Sequence, residues 1–211
     1  MFDGMSFDEL NSLLSNKRSM SFEQFFGEME LSDDEIQQRI ELAEKLEDGF
    51  LFVLALLFTM QQQNTVNWER ARQEYENRYL SALAGYVTIT PYIRNYVRSM
   101  SYDVMDSTRN HQSNIYYYSP DRSRFMAENE SNFARSYQVN EDAIASGFKK
   151  KRWITMRDKK VRETHKEVDG HVKAIDDLFY VGGSLMGYPR DGSLGASSSE
   201  IVGCRCSIQY F

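Results

Sequence analysis

The chain has 211 residues and a formal net charge of −6, from 25 basic and 31 acidic side chains. Apolar residues make up 41% and aromatic residues 13%, which excludes a mostly disordered protein because such chains are too poor in these residues to bury a core. The negative balance excludes a protein that coats nucleic acid with its whole surface. The longest apolar run, Phe50 to Phe58, has nine residues. A membrane-spanning helix needs about 20, so no transmembrane segment is predicted.

Charge is distributed unevenly along the chain. Residues 1–48 carry 13 acidic and 4 basic side chains, a net charge of −9, whereas residues 149–173 carry 10 basic and 4 acidic, a net charge of +6. We expect residues 1–30 to form an acidic N-terminal arm. This arm is either solvated or docks on a partner or on the basic segment, and both interpretations stay open.

Helical signals begin at residue 31. Ser32 and Glu35 form a capping box ahead of apolar residues spaced three and four apart. A second stripe, from Trp68 to Tyr86, repeats this spacing over about five turns. We interpret the aromatic residues of this stripe as core, since that is their usual role at helical spacing.

Two further helix starts follow. Thr90–Pro91 and Ser119–Pro120 each place a hydroxyl residue before a proline, a pair that favours the first turn of a helix. We expect Asn140 to cap one more short helix that ends at Gly147. Residues 31–147 are therefore predicted to form a bundle of four to five helices.

The pattern changes at residue 148. We predict a helix from about Met156 to Val168, and then short strands separated by glycine, proline and serine. The predicted strands are Leu178–Val181, Ser184–Tyr188 and Ile201–Phe211. Residues 148–211 are thus predicted as a small α+β module behind a mainly helical region, and the fold class as α+β.

This tail concentrates the distinctive residues of the chain. They follow the order Trp-x-Thr, Asp, Val-Arg-x-x-His, Asp-Gly, Pro-x-Asp and Cys-Arg-Cys over about 55 residues: Trp153, Thr155, Asp158, Arg162, His165, Asp169, Gly170, Pro189, Asp191, Cys204, Arg205 and Cys206. The ordered spacing resembles the phage head morphogenesis family, the minor capsid proteins similar to protein F of phage Mu. One departure is Gly203, where the family usually has Asn, although Gly serves a tight turn equally well.

The resemblance implies a minor capsid protein of a tailed phage or prophage. Such a protein binds the portal protein and assists procapsid assembly and DNA packaging or delivery. Major capsid and scaffolding proteins are further partners that it implies. The implied location is the virion, in the capsid interior near the portal, and the host cytoplasm during assembly.

The cysteines and histidines of the tail leave three interpretations open. His165, His171, Cys204 and Cys206 together offer the four ligands of a tetrahedral zinc site. Two helical residues six apart, however, point about 120° away from each other, so His171 would converge only beyond the break at Gly170. The second interpretation is a pair of small buried thiols beside a hydrogen-bonded core histidine. The third is a disulfide between the two cysteines, which their close spacing on an extended strand disfavours. Apart from zinc, no cofactor is expected.

The basic segment offers a contact for nucleic acid. Lys149, Lys150, Lys151 and Arg152 suit a non-specific contact with DNA phosphates, and an alternative function is a nuclease or toxin-like enzyme that uses His165 and His171. Whether the chain is an enzyme stays undecided, with a structural role favoured.

Spacing alone also predicts two side-chain arrangements. We expect Arg162 to pair with Asp158, four residues earlier on one helix face. We expect Arg205 to point away from the two cysteines that flank it, because side chains alternate along an extended segment.

Overall fold

The computed structural model describes Ser6, Phe7, Glu9 and residues 21–211. The predicted acidic arm, residues 1–30, therefore lies largely outside the described residues. None of the helices in the described range is both long and apolar enough to cross a membrane.

Helices dominate the chain up to residue 145. They are α1 (Phe22–Gly27), α2 (Asp33–Gln62), α3 (Trp68–Leu83), α4 (Pro91–Asn110), a 3₁₀ turn (Ile115–Tyr118) and α5 (Pro120–Ala145). Two predicted helix starts are confirmed by their caps. Oγ of Ser32 accepts the backbone N–H of Glu35 at 3.3 Å, and Oγ1 of Thr90 accepts that of Ile93 at 3.2 Å.

The separate short helix predicted from Asn140 is wrong. Helix α5 runs without a break to Ala145, so Asn140 lies inside it and is buried. Its side chain accepts a hydrogen bond from the Tyr210 hydroxyl at 3.2 Å rather than capping a helix. The chain leaves the helix only at Gly147, whose positive φ of 80° suits a helix C-terminus.

Short strands and turns of helix follow. They are β1 (Lys150–Ile154), α6 (Glu163–Lys166), β2 (Val172–Ala174), β3 (Phe179–Val181), β4 (Ser184–Met186), α7 (Ser198–Ile201) and β5 (Ser207–Tyr210). The strands β2, β1 and β5 form an antiparallel sheet in that order, and β3 and β4 form a hairpin. The predicted α+β class is confirmed.

Three details of the predicted tail are corrected. Strands β1 and β2 were not predicted, and the helix predicted over Met156–Val168 is reduced to α6. The reason is local: Arg157 has a φ of +52°, and the Asp158 carboxylate accepts the Lys160 N–H at 2.8 Å, which favours a turn over a helix. The strand predicted over Ile201–Phe211 is confined to β5, because the chain turns at Gly203 with a φ of +68°.

By their contacts the described residues form two units. The first contains residues 41–127 with Ser6, Phe7 and Glu9, and the second contains residues 21–40 and 128–211. The second unit thus takes in part of α5, whereas the predicted boundary fell at residue 147. The predicted division into residues 1–30, 31–147 and 148–211 stays a prediction.

Aromatic residues form the core of the first unit. The rings of Phe50 and Tyr75 stack with centroids 4.7 Å apart, and Tyr79 packs edge-on against Phe50 at 5.3 Å. All three are fully buried. The interpretation of the α3 stripe as core is confirmed for Tyr75 and Tyr79.

The core of the second unit surrounds Trp153. This residue is fully buried and contacts Phe179 edge-on, with ring centroids 5.2 Å apart. The remaining buried members of this cluster are Val168, Val181, Met186, Cys204 and Cys206. Both cysteines are therefore part of the apolar core of the module.

Candidate functional site

Three potential metal ligands converge beside Trp153. Nδ1 of His165, on α6, lies 3.3 Å from Sγ of Cys206 and 3.6 Å from Sγ of Cys204. The three ligand atoms all lie within 4.8 Å of one another, and each residue is at most 3% exposed. We call His165, Cys204 and Cys206 the Cys–His cluster.

A carboxylate holds the other side of the histidine ring. Oε2 of Glu200, on α7, lies 3.1 Å from Nε2 of His165 and also accepts a hydrogen bond from Oγ1 of Thr164 at 2.8 Å. Glu200 is itself 7% exposed. The imidazole is therefore fixed in orientation by partners on both ring nitrogens.

Two asparagines of α5 hold the segment before Cys204. Oδ1 of Asn129 accepts the Gly203 N–H at 2.7 Å and a hydrogen bond from Nη1 of Arg190 at 2.8 Å. Nδ2 of Asn132 donates to the Cys204 carbonyl at 2.9 Å. These bonds satisfy buried backbone groups at a turn and fix the direction in which Cys204 enters the core.

The two thiols of the Cys–His cluster differ in pKa. The pKa of Cys204 lies well below its ordinary value, because the Cys206 thiol donates to its sulfur and His165 adds a hydrogen bond and positive charge. The same hydrogen bond, together with burial, raises the pKa of Cys206. Burial alone would lower the pKa of His165, but the Cys204 sulfur outweighs it and the pKa is raised. Of the two thiols, Cys204 is therefore the more acidic.

His171 is not part of the cluster. Its side chain is exposed, and its carbonyl accepts the Trp153 N–H at 3.1 Å. His171 is therefore removed from the predicted set of metal ligands. The physical reason is the turn at Gly170, where a φ of +77° directs the chain toward strand β2, which begins at Val172, and away from α6.

Thr155 and Asp169 close a turn next to β1. Oδ1 of Asp169 accepts the Thr155 N–H at 2.8 Å, and Oδ2 accepts from Nε of Arg157 at 2.9 Å. Burial raises the pKa of Asp169, but these hydrogen bonds outweigh it and the pKa is lowered overall. This part of the motif has a structural role.

The predicted pair of Arg162 with Asp158 is wrong. Arg162 donates to the Val202 carbonyl, since it lies before α6 and not on a helix that includes Asp158. Asp158 instead accepts from Nη2 of Arg205 at 2.6 Å, and Nη1 of Arg205 lies 3.2 Å from Oε2 of Glu28. The expectation that Arg205 points away from the cysteines is confirmed.

The Pro-x-Asp step forms a buried turn. Oδ2 of Asp191 accepts the Gly187 N–H at 2.8 Å, and Oδ1 accepts the Ser193 N–H at 3.0 Å. Arg190, after Pro189, has a φ of +72°. Asp191 therefore orders this turn through its backbone contacts.

A comparison with protein families gives a match that spans this entire arrangement. The family described as Phage Mu protein F like protein matches residues 93–209, more than half of the chain. The chain belongs to this family. The resemblance read from the tail motif is confirmed, and phage head morphogenesis is the function that goes with it. Comparisons with curated proteins and with solved structures give no match.

The Mu F-like match begins 60 residues before Trp153, within α4. It therefore includes Asn129 and Asn132, which sequence reasoning missed as parts of the site. The sequence marks these two asparagines only weakly. Their spacing of three residues predicts that they lie on one face of a helix, but it does not predict which groups they contact. Glu200 was also missed as a site residue, although it lies four residues before Cys204.

The basic segment of this Mu F-like chain is only partly exposed. Lys149, Lys150 and Arg152 are exposed, whereas Lys151 is 2% exposed, with Nζ 5.7 Å from the centroid of the Phe179 ring. Burial lowers the pKa of Lys151, against the opposing charge of Asp191. Because side chains alternate between the two faces of β1, Lys151 points inward and is not available for the predicted contact with DNA. For the other three residues the contact stays a prediction.

The burial of His165 is relevant to the alternative function, a nuclease or toxin-like enzyme. A general acid or base in a nuclease must reach the substrate, but His165 is 2% exposed and both of its ring nitrogens are engaged. The arrangement around His165 and His171 thus offers no acid–base pair that faces a phosphate group.

Proposed function

We propose that this Mu F-like protein is a minor head protein that binds the portal protein and assists procapsid assembly and DNA packaging or delivery. The observation that carries the proposal is the family match over residues 93–209. Membership of a phage head family fits an interaction with other phage head proteins. The portal is the partner we propose first, and major capsid or scaffolding proteins are the alternatives.

One surface of the tail suits such a contact. On the three-stranded sheet, Arg152 lies opposite Val172 of β2 and Gln209 of β5, and all three are exposed. Lys150 is exposed on the same side of β1, two residues before Arg152. We call Lys150, Arg152, Val172 and Gln209 the basic sheet face.

The basic sheet face combines charge with apolar area. The Arg152 guanidinium lies 5.4 Å from the centroid of the Phe211 ring, and Val172 is 44% exposed. An acidic protein surface and the phosphates of DNA both carry negative charge, so this composition supports a contact with either. A contact with phosphates does not require readout of the bases.

Co-purification tests the portal proposal. The full chain is coexpressed with the portal protein of the same phage genome, and we expect coelution at moderate salt. The double variant Lys150→Glu/Arg152→Glu should weaken the complex, whereas Arg94→Glu/Lys159→Glu changes the same net charge at exposed positions outside the face. Absence of a complex at every salt concentration would overturn the portal proposal. Equal effects of the two double variants would overturn the assignment of the face.

A DNA titration tests the phosphate contact separately. For each phosphate contact, the slope of log K against log salt changes by about 0.9 on duplex DNA. Replacing Lys150 or Arg152 by Gln should therefore reduce the slope by about one, measured by fluorescence anisotropy with a short duplex. Unchanged slopes in both variants would exclude the sheet face as the DNA contact and leave the portal test unaffected.

A further inference from the structure

We propose that the Cys–His cluster binds one zinc ion through Nδ1 of His165 and the sulfurs of Cys204 and Cys206, with water as the fourth ligand. The site is independent of the portal and DNA contacts proposed above. It lies in the core of the tail module, so the role assigned to the metal is to stabilise this module.

The spacing of the three ligand atoms fits a tetrahedral ion. With Zn–S and Zn–N bonds of about 2.3 and 2.0 Å, tetrahedral geometry places a ligand nitrogen and sulfur about 3.5 Å apart. The distances from Nδ1 of His165 to the two sulfurs are 3.3 and 3.6 Å. A set of one imidazole and two thiolates with this geometry favours zinc among the abundant divalent metals.

Glu200 gives the histidine the tautomer that a metal requires. With zinc bound, the carboxylate 3.1 Å from Nε2 would accept the Nε2 proton and leave the Nδ1 lone pair for the metal. Thr164 donates to the same carboxylate oxygen and fixes its position. A carboxylate that orients a ligating histidine in this way is a common feature of zinc sites.

Trp153 supplies a second independent observation. Its Nε1 atom is buried with no hydrogen-bond partner among the described residues, and the indole packs in the same buried cluster as Cys206. A metal-bound thiolate keeps acceptor lone pairs for this N–H, whereas a neutral thiol is a weak acceptor. Metal binding at Cys206 would therefore satisfy a buried donor.

The space beside the cluster admits one small ligand. A cavity of about 20 Å³ is lined by all three residues of the cluster together with Met156, Lys160, Val161, Arg162, Gly203 and Arg205. That volume is sufficient for a single water molecule. A set of three protein ligands and one water is an open coordination shell, so the structural role that we assign rests on the burial of all three ligands in the core of the module.

A disulfide is the main competing state of the two thiols. Cysteines separated by one residue on an extended segment have Cα atoms about 7 Å apart, at the upper limit for a disulfide. The backbone N–H of Cys206 also lies 3.4 Å from Sγ of Cys204, a contact that suits a thiolate acceptor. These observations favour two reduced sulfurs, as zinc ligation requires.

Metal analysis of the full chain is the direct test. We expect one zinc ion per chain after purification without chelator, and replacement by Co²⁺ should give the visible bands of tetrahedral cobalt with near-ultraviolet thiolate charge transfer. Cys204→Ser and Cys206→Ser should lose the bound metal. His171→Ala is the matched control, because His171 lies outside the cluster, and should keep it. Substoichiometric zinc together with no cobalt spectrum would overturn the proposal, and metal loss in His171→Ala would overturn the ligand set.

Glu200→Gln gives a second test that does not depend on whether the cysteine variants fold. We expect this variant to retain zinc with about 10- to 100-fold weaker affinity, measured by competition with a chelator dye. Adding zinc in excess to the metal-free parent chain should raise its melting temperature progressively with concentration. A melting temperature that does not respond to zinc would count against the site.

Discussion

Gly182 lies so close to Glu200 that a Cβ atom on the glycine would be 2.5 Å from Oε1 of the carboxylate. The glycine also has a φ of +55°. The position of Glu200 against His165 therefore depends on the absence of a side chain at residue 182. The sequence predicts a break between two strands at this glycine, but it gives no signal for the contact with Glu200.

Gly182→Ala should destabilise the protein more than Gly183→Ala. Both glycines have positive φ, which costs an alanine about 1–2 kcal/mol, but only residue 182 would meet the Glu200 carboxylate. Urea unfolding of both variants measures the difference. Equal losses would show that Glu200 can move aside without cost.

Trp153→Ala should cost about 3–5 kcal/mol of unfolding free energy, because it removes a fully buried indole from the centre of the module. Phe148→Ala is the control, since Phe148 is 41% exposed and its truncation should change stability by about 0.5 kcal/mol or less. Denaturant unfolding followed by circular dichroism reports both. A small loss for Trp153→Ala would contradict its central place in the core.

Glu35→Ala should leave two cations without their partner. The Glu35 carboxylate accepts from Nε and Nη2 of Arg135 at 2.9 and 2.8 Å and also pairs with Arg39. Burial, partly opposed by the Glu35 charge, lowers the pKa of Arg39 to about 10. Breaking a buried pair of this kind costs about 3–5 kcal/mol.

The control for Glu35→Ala is Glu69→Ala, which removes an exposed partner of Arg72. Its loss should be much smaller, because solvent screens exposed ion pairs. Thermal unfolding of the two variants gives the comparison. A Glu35→Ala variant as stable as Glu69→Ala would show that water replaces the lost carboxylate.

Stability should fall in acid through Asp158 and Asp169. Burial raises the pKa of Asp158, but hydrogen bonds from Arg205 and from the Lys160 N–H outweigh it, and the folded pKa lies below 3.8; that of Asp169 is lowered in the same way. A depressed carboxylate pKa adds stability above the unfolded value of 3.8, and this is lost as pH falls through the folded pKa.

The double variant Asp158→Asn/Asp169→Asn should therefore show a flatter loss of stability in acid than the parent chain. Asp176→Asn is the control, since Asp176 is an exposed carboxylate of the same module. Urea unfolding at a series of pH values down to below 3.8 measures the slopes. A double variant with the parent's slope would contradict the role of these two groups.

Gly203→Asn should be tolerated better than Gly203→Val. Residue 203 has a φ of +68°, which Asn adopts readily and a β-branched residue does not, and no atom lies within 4 Å of a Cβ at this position. The melting temperatures of the two variants test this. Equal losses would show that the turn itself tolerates any side chain.

The parts of the fold that local signals specify were predictable. Ser32 and Thr90 cap helices as expected, because a cap and its first turn lie within four residues of each other. Strand β1 was not predicted, since its basic residues concealed the inward position of Lys151. The helix over Met156–Val168 failed because the Asp158 carboxylate competes for backbone N–H groups.

The sequence predicted which residue types form the site, but it did not predict the hydrogen bonds that hold them. The sequence indicated that Cys204, Cys206 and His165 belong together, but no local signal indicated that Glu200, 35 residues after His165, contacts its ring. Asn132 and Cys204 are 72 residues apart in sequence, and Asn129 and Gly203 are 74 apart. Hydrogen bonds over such separations follow from the tertiary fold and not from local patterns.

The alternation around Arg205 also explains the length of the cysteine motif. Cys204 and Cys206 point into the core, and Arg205 between them reaches Asp158 and Glu28. Inserting one residue into this tripeptide would rotate one sulfur to the surface or bring the guanidinium into the core. With one residue between the cysteines, both sulfurs contact the core and the arginine between them contacts the two carboxylates on the opposite side.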